Sequence, residues 1–141
     1  MGKINTARWI LCGVIAGIIG DLVGSLVDGV LLGPRWNAGL KLLGQPPTTS
    51  TQILEYNIVG LVVGLVAIWI YAAIRPRFGA GPKTAIYVGL VVWIVGFLLP
   101  NISFMYVSHL YSRHLTLYTT LGALVGCLLA TLAGAALYKE A

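Results

Sequence analysis

Apolar positions dominate four long runs, at 9–33, 53–74, 84–107 and 115–138, and most polar positions collect in the gaps between them. Each run exceeds the roughly 20 residues that a helix needs to cross a hydrocarbon core. None alternates as a half-buried strand would, so each predicts a transmembrane helix. The punctuation agrees. Gly33-Pro34 predicts the end of the first helix. Pro76 predicts the end of the second, and Pro82 suits the first turn of the third. Thr49 and Gln52 have the spacing of a capping box ahead of the second. The expected fold is all-α: a four-transmembrane-helix bundle forming one membrane domain over 1–141.

The longest gap holds a further pattern. Trp36, Leu40 and Leu43 recur at i, i+4, i+7 and predict a short helix over 35–44. Such a helix would lie in the bilayer interface with Trp36 at headgroup depth. Gln45-Pro46-Pro47-Thr48-Thr49-Ser50 then reads as a stiff turn. The segment serves either as a re-entry device or as a lid over a substrate. An internal echo also exists: Pro34-Arg35-Trp36-Asn37-Ala38-Gly39 resembles Pro76-Arg77-Phe78-Gly79-Ala80-Gly81. It fits a duplicated two-helix unit as well as the common way in which a span ends.

Charge gives the expected orientation. Lys3, Arg8, Arg75, Arg77, Lys83 and Lys139 belong to one side, and Arg35, Lys41 and Arg113 to the other. Six bases against three place both termini in the cytoplasm by the positive-inside rule. Only 9% of residues are charged, 58% are hydrophobic and the mean hydropathy is +0.91. An ordinary soluble domain carries about 25% charged residues, so soluble, disordered and collagen-like classes are excluded. The net charge of +5 would suggest nucleic acid in a soluble protein. Here the bases flank the spans and serve topology, so no nucleic-acid partner is expected.

Processing signals change little. The opening Met1-Gly2-Lys3-Ile4-Asn5-Thr6 fits the short myristoylation pattern, but with Met1 retained Gly2 is not a free N-terminus. Lys3 and Arg8 before an apolar run also resemble the start of a signal peptide. That run extends well past a signal peptide's apolar stretch, so the first segment is expected to stay as an anchor. Cys12 follows Leu11, which lacks the small side chain expected before a lipoprotein cysteine. Cys12 and Cys127 both lie inside apolar runs and read as small buried residues. Two cysteines and two histidines at these spacings make neither a disulfide framework nor a zinc site.

Every span has a face of small residues, as membrane helices need for close approach. The first offers Gly13, Gly17, Gly20 and Gly24, and the second Gly60, Gly64 and Ala67. The third offers Gly89 and Gly96, and the fourth Gly122, Gly126, Ala130 and Ala133. Asp21 and Asp28, seven residues apart, fall on the glycine face of the first helix. Asp21 is the midpoint of its span, where a carboxylate costs at least about 2.5–3.5 kcal/mol unless protonated or paired. Such an acid is a candidate ion site or a hydrogen-bonded group that fixes helix register. Measured from the midpoints at 1.5 Å per residue, Asp28, Asn57, Ser103 and Thr119 share a depth about 10–11 Å toward the outer side. One comes from each helix, which suggests a polar layer. Glu55 sits one turn higher, and Asn101 lies about 100° off the small face. Pro100 predicts a kink in the third span. His109 and His114 lie just beyond the outer boundary with Tyr106, Tyr111 and Arg113. They read as an interfacial belt, or, joined by Asp28 or Glu55, as weak candidates for a metal or pigment ligand. No metal site or cofactor is predicted beyond bound lipid. No nucleophile–base pair, phosphate loop, His-Glu-x-x-His run or CxxC pair occurs, so no catalytic residue is assigned.

The chain resembles four-helix bacterial membrane proteins of about this length and of unknown function. The likeness rests on Leu32-Gly33-Pro34-Arg35-Trp36 followed by Leu42-Leu43-Gly44, and on Tyr71-Ala72-Ala73-Ile74-Arg75-Pro76-Arg77-Phe78-Gly79. It also rests on Gly89, Trp93, Gly96 and Leu99-Pro100-Asn101 at their spacing in the third span. The resemblance implies a bacterial inner-membrane location and no reaction, cofactor or catalytic residue.

Three functions stay open. The first is a structural or accessory subunit of a larger membrane complex, respiratory or photosynthetic in type. It is favoured because there is almost no mass outside the spans and no catalytic motif. Its partners would be lipid and other membrane subunits, or further copies of the chain. The second is a small transporter or channel subunit in which Asp21 and Asp28 handle protons, cations or a cationic solute. The third is an enzyme acting on lipid or quinone with Glu55, His109 and His114, which requires those three to converge.

Overall fold

A computed structural model describes residues 4–140. Gly2 and Lys3, which enter the acylation and orientation arguments, lie outside the described residues. The chain is all-helical, with no strand among the described residues. We number five helices: α1 (Thr6–Leu31), α2 (Gly33–Leu42), α3 (Ser50–Phe78), α4 (Pro82–Val107) and α5 (Arg113–Leu137). All but α2 are long and apolar enough to cross a membrane, which marks a membrane protein.

The helix ends follow from local chemistry. Asn5 caps α1 by accepting from the Arg8 N–H, and Ser112 caps α5 by accepting from the Leu115 N–H. Thr49 and Gln52 form the expected reciprocal capping box on α3. Proline shapes two departures from the sequence reading. Helix α3 continues through Pro76 to Phe78, because Pro76 lies in the last turn and Gly79 closes the helix by donating to the Arg75 carbonyl. Gly33-Pro34 opens α2 rather than only ending α1. Leu32 is the pivot, and Pro34 occupies the first turn of the new helix, where its missing N–H costs nothing.

Pro100 is absorbed by widening the helix. It sits in a four-residue α-helical piece, Leu99–Ile102, between π-helical turns at Ile94–Leu98 and Ser103–Val107. The Leu99 N–H reaches back five residues to the Ile94 carbonyl. A proline that breaks the regular ladder is a recognised cause of such turns. The end of α1, Ser25–Leu31, is π-helical as well.

The packing order is α3, α1, α5, α4: α1 lies against α3 and α5, and α5 carries α4 on its other side. Helix α3 meets α4 only over Pro82–Trp93, while residues 94–107 make no substantial contact with it. The bundle is therefore closed at the end that carries both termini and open at the other. The core belongs to the closed half: Cys12, Ala16, Ala67, Ile68, Tyr71, Ala72, Ala85, Val88 and Ala130 are buried there together. In the open half α1 has no buried residue after Gly17, α3 none before Gly64 and α4 none after Gly89. Only α5 keeps buried residues along its length.

Small residues make the closed half possible. Helices α1 and α3 touch backbone to backbone. A Cβ at Gly64 would stand 2.5 Å from the Gly17 Cα and from the Gly13 carbonyl oxygen. A Cβ at Gly13 would stand 2.8 Å from the Leu65 Cα. Lipid leaves helices little hydrophobic drive to associate, so close van der Waals contact of this kind is what holds them. The Trp9 indole N–H adds a 2.7 Å bond to the Leu65 carbonyl. At the closed end, Tyr138 receives the Asn5 N–H and stacks edge-on against Tyr71, whose hydroxyl accepts from the Gly81 N–H. Arg75 lies over the Tyr138 ring and pairs with Glu140 at 3.2 Å. One aromatic cluster thus ties the ends of α1, α3 and α5 to the α3–α4 turn.

Candidate functional site

The candidate polar residues lie in the open half, with Asp28 and Ser103 on π-helical backbone. Asp28 falls within the π-helical end of α1. Its Oδ1 accepts from the Thr119 hydroxyl of α5 at 2.8 Å and from the Trp36 indole N–H of α2 at 3.1 Å. One carboxylate thereby ties three helices together. The Trp36 ring meets Tyr111 edge-on at 5.0 Å between centroids, and Tyr111 meets Phe104 at 6.5 Å. Asp28 is in this way the polar centre of an aromatic cluster.

Asp21 goes elsewhere. Straight α-helical geometry puts the two acids on one face, but π-helical turns advance less per residue and bring Asp28 round toward α5. The Asp21 carboxylate lies against Gly60 of α3, in space that any Cβ at Gly60 would fill. It has no hydrogen-bond partner among the described residues and is half-buried. Gly24, the next small residue of α1, has nothing near its Cβ position. Asp21 therefore marks the level where α1 and α3 part.

The other members of the expected polar layer do not join Asp28 and Thr119. The Asn57 amide turns back to the Ile53 carbonyl of its own helix at 2.7 Å, and Ser103 is exposed on α4. The physical reason is that α3 and the far part of α4 lie apart from each other, which depth arithmetic along straight helices does not contain. Asn101, set aside for its angle, instead makes a contact between helices. Its amide donates to the Thr120 hydroxyl at 2.8 Å, and the Trp93 indole donates to the Thr120 carbonyl at 2.8 Å. Adjacent threonines on α5 thus face opposite neighbours, Thr119 toward α1 and Thr120 toward α4. The signal in the sequence was Pro100 itself, which changes the register of the residues after it.

His109 and His114 line one groove of about 740 Å³ between α2 and the turn into α5. Arg35, Leu42, Leu43, Leu110 and Tyr118 line it too. The Arg35 guanidinium lies over the Tyr118 ring at 5.4 Å. His109 has a left-handed backbone at φ 50°, uncommon for a residue other than glycine. Glu55 is exposed on α3 and is not part of the groove. No group of three or more metal-ligating side chains exists among the described residues. The three residues of the enzyme reading are therefore not assembled around one cavity.

No protein-family model, curated protein or solved structure matches the chain.

Proposed function

We propose that the chain is a non-catalytic, multi-pass protein of the bacterial inner membrane that acts as a structural or accessory subunit of a larger membrane assembly, such as a respiratory or photosynthetic complex. Both termini face the cytoplasm, following the six-to-three bias of bases. The open half then faces outward, and α2 lies in the outer interface with Trp36 at headgroup depth. The observation that supports a subunit role is the unfinished packing of that half. Helix α3 from Ser50 to Val63 and α4 beyond Gly89 have no buried residue, although both carry polar groups and α4 carries Gly96, which has nothing within 4 Å. A partner subunit completes those faces. Native extraction with a bilayer-preserving polymer, followed by mass spectrometry, tests the reading. Stoichiometric co-purification of other membrane proteins is expected, and recovery only as a single chain or its multiples sinks the proposal.

Asp21 favours a second reading, a small carrier or channel subunit. An acid near mid-span without a protein partner is a default candidate for an ion path. Proton or cation flux in proteoliposomes should then fall to background in Asp21→Asn while the fold survives. Undiminished flux removes this reading.

A further inference from the structure

The groove between α2 and the turn into α5 has a composition that neither reading uses. We infer that it is a binding site for an anionic phospholipid, with the headgroup phosphate held by Arg35, His109 and His114 and an acyl chain laid along Leu42 and Leu110. Four observations support this. The groove holds about 740 Å³, within the range of small-molecule pockets. Its ionisable lining is basic or phenolic, and no carboxylate contributes to it. The nearest acid by connectivity, Asp28, is already engaged by Trp36 and Thr119. Arg35 makes no ion pair among the described residues, and its guanidinium lies over the Tyr118 ring, 5.4 Å from the centroid. A planar guanidinium in the groove wall, free of any carboxylate, is suited to paired N–H bonds to phosphate oxygens.

The occupant follows from the rest of the lining. Leu42 is 89% exposed and Leu110 is 39% exposed, an apolar wall that a free phosphate ion leaves wet and an acyl chain covers. The groove belongs to the end of the bundle where α2 meets the loop before α5, which is the headgroup level if the four long helices cross the bilayer. The inference stands with or without a partner subunit.

The test uses the full-length protein in detergent, with lipids added back and retention read by native mass spectrometry. Phosphatidylglycerol should be retained over phosphatidylcholine in the unmodified protein. Arg35→Gln should weaken that retention about fivefold, the scale of one cation at an anionic lipid surface. The variant Arg35→Gln with His109→Gln and His114→Gln should abolish the preference. Arg77→Gln, which removes a charge at the other end of the bundle, should leave it intact. All three groove residues are exposed, so the core is untouched. Arg35→Lys adds a second check: it keeps the charge and loses the planar fork of donors, and should give intermediate retention. Equal retention of both lipids overturns the inference. So does displacement of phosphatidylglycerol by millimolar inorganic phosphate, which would reveal a site for the free ion.

Discussion

Alanine placed at Gly64 and at Gly24 should shift stability in opposite directions. Both glycines are helical and both lie on small faces, so sequence alone treats them alike. In an α-helix, alanine is favoured over glycine by about 0.8–1.0 kcal/mol. At Gly24 the new methyl meets nothing within 4 Å, so that gain is kept. At Gly64 it would stand 2.5 Å from the Gly17 Cα and the Gly13 oxygen, where ordinary contact begins at 3.4 Å. Neither atom is the end of a flexible side chain, so the helices themselves must part, by roughly 1 Å in an interface with no slack. Overpacking of this kind costs about 1–3 kcal/mol, which exceeds the gain in propensity. Gly64→Ala should thus be destabilised by up to about 2 kcal/mol, and Gly24→Ala unchanged or stabilised by up to about 1 kcal/mol. Reversible unfolding in mixed micelles of rising dodecyl sulfate content measures both, with tryptophan fluorescence as the signal. Trp9, bonded to Leu65 across the same interface, reports on it directly. If Gly64→Ala unfolds at the same point as Gly24→Ala, the backbone contact of α1 and α3 is not as described.

The Asp28–Thr119 bond should appear in a double-mutant cycle of Asp28→Ala and Thr119→Val as a coupling of about 0.6–1.7 kcal/mol, the range found between membrane helices. Additivity within experimental error would contradict it. Cys12 is fully buried and Cys127 is 8% exposed, and both are free thiols. Maleimide should add nothing to the folded protein over the time in which it adds two labels to the unfolded one, as read by intact mass.

Much of the architecture could be read from residues alone, because the bilayer demands long apolar runs and satisfied backbone. The capping box at Thr49 and Gln52 and the small faces of α1 and α3 need only local spacing to recognise. The direction of the polar side chains was not legible in the same way. The sequence expectation put Asp21 and Asp28 on one face because it assumed 100° per residue throughout. Ser25–Leu31 is π-helical, and the two acids meet different helices. Asn101 was misplaced for the same reason, through the turns around Pro100. Asn57 and Ser103 have a matching depth but sit where α3 and α4 no longer meet each other. Depth follows from counting residues, whereas separation between helices depends on packing that no single span encodes. The groove was only half visible: His109 and His114 were singled out, while Arg35 and Leu42 reach it through the fold of α2.

A subunit covering the open half would lie within reach of the exposed faces of α3 and α4. A photo-crosslinking amino acid placed singly at Val59 of α3 or Val95 of α4, which are 60% and 63% exposed in that half, tests it in intact membranes. Leu129 of α5, 47% exposed near the closed end, is the comparison site. A discrete protein adduct is expected from Val59 and from Val95, and only lipid adducts from Leu129. Lipid adducts alone at all three positions would contradict it.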